Sequence, residues 1–269
     1  MKEPYCTAPK DVYELACRNV VLRAEVGSTV YGTGLPGAED HDEIAVYVMP
    51  PEHVLGVKPC DSIVWRTAGA SARSTPQDTD LAMYSLKKYI GLAAAGNPSI
   101  LVPLFTPDDK VFQATVVGKR LRAIRAVFVS KGAGLRFKGY MEGQRRRMVD
   151  SRAGLRAPRV NRPELIEQFG YDTKYAMHML RLGFHGIELM STGQIELPIP
   201  GSTGDLLRSV RHGEVAYEQV LAMSEDLDRD LAAAIAESSW PNEVESYLRD
   251  RLIQQLTFLH WGVADTRRG

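Results

Sequence analysis

The sequence predicts an α+β (mixed α/β) fold, with strands gathered in the first half and helices in the second. Two observations carry that prediction. Short runs of branched apolar residues bounded by Gly, Pro and Ser recur up to about Tyr84, and stretches at helical spacing fill most of the chain beyond Leu121. A boundary near residue 125 divides the chain into 1–125 and a helical 126–269. Charge is divided as well. Ten Lys or Arg face two acids from Lys131 to Arg162, and nine Asp or Glu face one Arg from Glu214 to Glu245, although the net charge is zero.

In order along the chain, Asp11 to Arg18 reads as a short helix with Asp11 as its N-cap. Val20 to Val26 is a strand ending at Gly27-Ser28. Asp42 to Met49 is a second strand, stopped by Pro50-Pro51, and Ser62 to Thr67 is a third. Residues 68 to 77 (AGASARSTPQ) are small and polar and read as a loop. Asp80 to Tyr84 is a short strand, after which Ser85 caps a helix ended by Gly96-Asn97-Pro98. Leu121 to Val149 is helical with a break near Gly132 to Gly134, and 151 to 163 is a basic loop. Tyr171 to Ser191, Tyr217 to Ala236 and Pro241 to Trp261 complete the helices.

Composition bounds the function. With 44% hydrophobic and 25% charged residues, the chain has the make-up of a globular protein. Cys6, Cys17 and Cys60 have no C-x-x-C spacing, which argues against a disulfide framework or zinc site. No signal-peptide core or long apolar run is present, so the expectation is a cytoplasmic protein without a membrane span. The basic segment reads either as a solvated helix face or as a surface for a polyanion such as RNA or a triphosphate.

The stretch GSTVYGTGLPGAEDHDEIAVYV, Gly27 to Val48, contains G-x-G-x-x-G at Gly32, Gly34 and Gly37. A dinucleotide loop would lead from a strand directly into a helix. Here Pro36 interrupts, and Glu39, Asp40, Asp42 and Glu43 lead into a strand. Carboxylates there would repel a pyrophosphate. Asp40 and Asp42, two apart on an extended chain, instead point to one face. Two like charges that close require a cation between them. Mg²⁺ suits the pair, with phosphates completing its oxygen shell. Gly27 and Ser28, at the end of the preceding strand, read as a phosphate cradle, with Ser28 capping a short helix. The plain alternative is an acidic surface loop between two strands.

Gly27-Ser28 followed by Asp40-His41-Asp42 resembles the nucleotidyltransferase signature of the DNA polymerase β superfamily. More narrowly, Gly27, Ser28, Tyr31, Gly32, Asp40 and Asp42 are in the order seen in the RlaP family of predicted bacterial and phage nucleotidyltransferases. Tyr84 to Phe105, Tyr171 to Pro198 and Arg211 to Val215 are similar to that family too. The resemblance implies a mixed sheet carrying the carboxylates, followed by a helical region. The family's D-x-D is typically followed by an apolar residue and often Arg-Gly, where this chain has Glu43, Ile44 and Ala45.

The implied chemistry is transfer of an NMP from an NTP, such as ATP, to an acceptor hydroxyl with release of pyrophosphate. In that reading 1–125 is the catalytic domain and 126–269 completes the nucleotide or acceptor site. Asp40 and Asp42 would bind two Mg²⁺ (or Mn²⁺), and a third carboxylate would join one metal and activate the acceptor. Asp80 is the leading candidate, then Asp78, then Asp61. Gly27 and Ser28 would hold the β and γ phosphates. Lys174, His178 and Arg181 form a cationic stripe at spacings of four and three. The resemblance implies that they contact triphosphate or acceptor phosphate, with His178 as hydrogen-bond donor or acid. Lys87 and Lys88 face either phosphates or solvent. His41 is assigned no metal. RNA or a tRNA end is the expected acceptor. A protein or small-molecule acceptor, or an inactive nucleotide- or RNA-binding regulator of the same fold, are the alternatives.

Overall fold

The computed structural model describes residues 4–34, 41–56, 60–70, 75, 77–155 and 162–263. Its fold is mixed α+β. The strands are β1 (Tyr5–Cys6), β2 (Val20–Val26), β3 (His41–Tyr47), β4 (Ser62–Arg66), β5 (Thr79–Ser85) and β6 (Val111–Ala114). The helices of the strand-rich region are α1 (Lys10–Arg18), α2 (Ser28–Tyr31), α3 (Pro51–Val54), α4 (Leu86–Ala94), α5 (Pro98–Phe105) and α6 (Val116–Ala123). They are followed by α7 (Lys131–Arg152), α8 (Pro163–Phe169), α9 (Thr173–Thr192), α10 (Gly201–His212), α11 (Tyr217–Glu237) and α12 (Ser246–Trp261). No helix among the described residues is long and apolar enough to cross a membrane.

The chain forms two compact units, Met1–Ala94 with Ser99–Val127 and Val244–Gly269, and Ala95–Pro98 with Phe128–Glu243. In the first, six strands form one sheet in the order β1-β4-β5-β3-β2-β6. Only β3 and β5 pair in parallel, at its centre. Ala45, Tyr47, Ile63, Leu81 and Met83 point to one face and pack with Ala16 of α1. Tyr13, Leu15 and Trp65 close over this layer. On the other face Leu22 meets α6, where Gly118 lies against the Val21 carbonyl.

The sequence expectation counted the last helix with the helical half. Its contacts are instead with α4 and α6 of the sheet unit. Trp261 Nε1 donates to the Met49 carbonyl (3.0 Å), and His260 Nε2 lies 3.3 Å from Asn19 Oδ1. The helix begins at Ser246, not Pro241. The Pro241 and Asn242 carbonyls accept from the Lys131 and Gly132 amides at the start of α7 (both 2.8 Å), so they serve another helix.

In the helical unit α9 is the centre, packed against α7, α10 and α11. Gly183 and Gly186 make that closeness possible. A Cβ on Gly183 would lie 3.0 Å from both Leu227 and Met141, and one on Gly186 3.0 Å from Phe137 and Leu231. The break expected near Gly132 to Gly134 falls earlier, because Ser130 caps α7 by accepting from the Ala133 amide. Gly134 lies inside the helix, where a Cβ would come within 2.7 Å of Ile235 and Met190. Close packing, rather than termination, explains that glycine.

The two opposed charge segments meet inside this unit. Lys138, Arg145 and Arg152, each one heptad apart on α7, pair with Asp228, Glu225 (2.7 Å) and Glu218 (3.9 Å) on α11. Arg152 also lies over the Tyr217 ring at 3.8 Å. These three cations balance a neighbouring helix. Arg136, Arg146 and Arg147 remain exposed, while Arg156 and Arg159 lie outside the described residues.

Gly118→Ala tests the packing of α6 on the sheet. A Cβ would sit 2.1 Å from the Val21 carbonyl oxygen, so the variant is expected to lose about 1–3 kcal/mol, measured by urea denaturation.

Candidate active site

Register builds the site. Asp42 and Asp80 are partners across the parallel β3–β5 pair, one strand spacing of about 4.8 Å apart. Asp80 is in turn partnered by Arg66 of β4, and Asp42 by Val26 of β2. Arg66, Asp80, Asp42 and Val26 therefore form one row across a single face of the sheet. Arg66 Nε donates to Asp80 Oδ1 at 2.9 Å, and its Nη1 lies 3.4 Å from the Ala70 carbonyl. The guanidinium is held charged above its ordinary range, first by the Asp80 hydrogen bond and further by the charges of Asp80, Asp42 and Asp78.

Gly27 follows Val26 with φ 81° and ψ −161°, a conformation open to glycine. A Cβ there would lie 2.6 Å from Asp42 Oδ2, so the bare backbone leaves room beside the carboxylate. Ser28 opens α2 and does not cap it. The N-cap is Gly27, whose carbonyl accepts from the Tyr31 amide (3.1 Å). Two hydroxyls of this turn, Thr29 Oγ1 and Thr33 Oγ1, are buried without a hydrogen-bond partner. Asp40 lies outside the described residues. Among the described residues no three acids, histidines or cysteines gather as a metal-ligand set.

The runners-up to Asp80 have other uses. Asp78 precedes β5 and ties its loop: it accepts from Thr67 Oγ1 (2.8 Å), the Thr75 amide (2.9 Å) and Thr75 Oγ1 (2.7 Å). Asp61 accepts from Ser85 Oγ (3.0 Å), at the opposite end of β5 from Asp80. Lys87 and Lys88 are exposed at that same far end, and the Lys88 amide donates to Ser85 Oγ, the expected cap (3.2 Å).

Glu43, where the family pattern turns apolar, points to the opposite face from Asp42. It is buried and ion-paired with Arg23. Its cross-strand partner Glu25 is buried as well, held by Lys110 (3.0 Å) and by His41 (3.5 Å). His41 thus belongs to this second row, away from the Asp42 face.

In the helical unit, α9 starts at Asp172, whose carboxylate accepts from the Lys174 and Tyr175 amides (both 3.0 Å) and pairs with Arg162 at 2.8 Å. Arg162 also lies 4.9 Å over the Tyr175 ring. Arg211 Nη1 donates to Thr173 Oγ1 (3.1 Å), and Tyr171 Oη donates to the Val215 carbonyl (2.6 Å). Lys174, His178 and Arg181 follow along α9, Arg181 being buried. Burial holds the His178 imidazole well below its ordinary pKa, and the charges of Arg181, Lys174, Arg162 and Arg211 push it the same way. His178 is consequently neutral near pH 7, suited to donating a hydrogen bond rather than a proton. In the sequence Arg162 counts only as the end of the basic segment, whereas here it is committed to Asp172 and Tyr175; Arg211, within Arg211 to Val215, carries no local signal of its contact with Thr173.

Residues 9–252 match RlaP, the RNA repair pathway DNA polymerase beta family. The chain belongs to the RlaP family. It is also 32% identical over 94 residues to a phage T4 protein, an uncharacterized 38.9 kDa protein of the nrdC–mobD intergenic region. That match spans 35% of this chain and 28% of the phage protein's length. One of the family-like stretches has a clear structural role. Arg211 to Val215 clamps the start of α9, and a Cβ on Gly213 within it would collide with the Phe169 ring at 2.1 Å.

Gly27→Ala is expected to cost about 1–3 kcal/mol of stability through its backbone conformation, measured by thermal or urea unfolding. Half-buried His178 and buried His185 give a pH dependence. His178 and His185 have folded pKa values below the unfolded one, so the unfolded chain takes up their protons first. Stability should fall as pH drops below about 6.5, at up to about 1.4 kcal/mol per pH unit for each such proton. His185→Gln should flatten that slope in urea titrations between pH 6.5 and 5.

Proposed function

We propose that this RlaP chain is a divalent-metal-dependent nucleotidyltransferase that moves an NMP from an NTP to an acceptor hydroxyl and releases pyrophosphate. The family supports polymerase-β-type nucleotidyl transfer in general. The observation that carries the finer reading is the register of Asp42 with Asp80 beside the bare backbone of Gly27.

These residues fit a divalent cation. Two carboxylates one strand apart on one face supply hard oxygen ligands, and the space a Cβ would fill beside Asp42 Oδ2 is left open. Asp42 and Asp80 would hold the ion, with Asp40 as a further ligand by resemblance. Mg²⁺ or Mn²⁺ bound there supplies charge neutralisation at the transferring phosphoryl group. Asp80 accepts the proton of the acceptor hydroxyl, and the Gly27-Ser28 turn takes the nucleotide phosphates. In the helical unit, Lys174, Arg181 and neutral His178 are assigned to hydrogen-bonding a phosphate oxygen.

The acceptor we propose is an RNA end. That choice rests on the family's association with RNA repair. It does not rest on the basic segment, because Lys138, Arg145 and Arg152 are paired with α11.

The test is incubation with Mg²⁺, α-labelled NTPs and total RNA. Label should pass to RNA, and Asp42→Ala should lower the rate by about three orders of magnitude, as expected for loss of a metal-ligating carboxylate. Transfer that survives Asp42→Ala would overturn the assignment. Label appearing on protein or small molecules alone would overturn the RNA acceptor.

A further inference from the structure

The row Arg66–Asp80–Asp42 places one guanidinium against two carboxylates at the position where the proposed function requires a metal ion. Arg66 is not a surface residue that happens to reach Asp80. It is the in-register partner of Asp80 on β4, so its Cα is fixed one strand away. The side chain is about three-quarters buried, as is that of Asp80. Among the contacts of the guanidinium are Nε to Asp80 Oδ1 at 2.9 Å and Nη1 to the Ala70 carbonyl at 3.4 Å. Adjacent carboxylates repel, and a fixed cation beside them offsets that cost.

The same arrangement sets up a competition. An oxygen that accepts from a guanidinium at 2.9 Å has a lone pair directed at nitrogen, not at a metal. A dication on Asp80 would also stand close to a fixed positive charge in a partly buried setting, where repulsion is poorly screened.

We propose that Arg66 is a resident counter-ion of the Asp42–Asp80 pair, competing with the divalent cation for Asp80 and lowering the metal affinity of the nucleotide-free protein. Arg66 is a positioning residue in this scheme, acting through Asp80. Arg66 offsets part of the pair's negative charge and orients Asp80 while no nucleotide is present. Metal loading is thereby linked to nucleotide, whose phosphates bring the extra negative charge that tips the balance. The inference rests on the metal role given to Asp42 and Asp80 under the proposed function.

The experiment is Mn²⁺ binding to the full chain without nucleotide, followed by electron paramagnetic resonance, on wild type, Arg66→Gln, Arg66→Lys and Asp42→Asn. Arg66→Gln, of similar reach but neutral, should bind Mn²⁺ about tenfold more tightly than wild type, while Arg66→Lys stays within about twofold of it. Damage to the fold would weaken binding, so tightening is a readout that a merely structural role of Arg66 does not produce. Equal or weaker binding by Arg66→Gln would overturn the competition, as would equal tightening in both variants. Where wild type binds Mn²⁺ and Asp42→Asn does not, such a result removes this inference and leaves the proposed function standing. Absence of Mn²⁺ binding in wild type, with and without an NTP, would remove both.

Discussion

The parallel pairing of β3 with β5 is the constraint on which the rest of the sheet unit depends. Every other strand pair is antiparallel, so this one junction decides which ends of the strands lie together. It brings the starts of both strands to one edge and puts Asp42 beside Asp80. The same register aligns Ala45 with Met83 on the opposite face, where they join the apolar layer under α1. One pairing thus fixes both the carboxylate pair on one face and the apolar layer on the other. A slip of one residue would exchange them, sending Asp42 into the core and Glu43 to the site.

The charge pattern follows from that alternation. Four acids lie in three neighbouring strands, β2, β3 and β5, yet they fall into two separate groups. Glu25 and Glu43 are buried on the packed face and matched by Lys110, His41 and Arg23. Asp42 and Asp80 share the other face with Arg66. Burying a carboxylate without a partner costs several kcal/mol, which explains why the packed face carries so many ion pairs. In the helical unit the pairing is different in kind: Lys138, Arg145 and Arg152 of α7 meet acids of α11 in more exposed pairs.

Much of this was readable in the sequence, because the deciding signals are local. Val20 to Val26 is a run of branched residues ending at a glycine, and it forms β2 over those same residues. The separation of Asp42 from His41 and Glu43 needs only the period of two in a strand. Asp80 was accessible as an acid opening a short apolar run. What could not be read depended on register across long separations. Arg66 reaches Asp80 only because β4 pairs with β5 at one offset, and nothing near Arg66 in sequence marks it. Lys138 and Asp228 are 90 residues apart, so the basic segment could not be distinguished from a polyanion surface by composition. Gly132 to Gly134 misled for a related reason: glycine breaks helices by propensity, but here tertiary packing of Ile235 and Met190 requires the missing side chain.

The return of α12 to the sheet unit has a consequence for biosynthesis. Residues 246–261 leave the ribosome only after all of Phe128–Glu243 has been made, yet Trp261 and His260 fasten onto Met49 and Asn19. Domains usually fold in the order in which they emerge. Here the helical unit is contiguous over nearly all its length, whereas the sheet unit gains its last helix only after the helical unit has been made. The packing of the part translated earliest is therefore completed by the helix translated last.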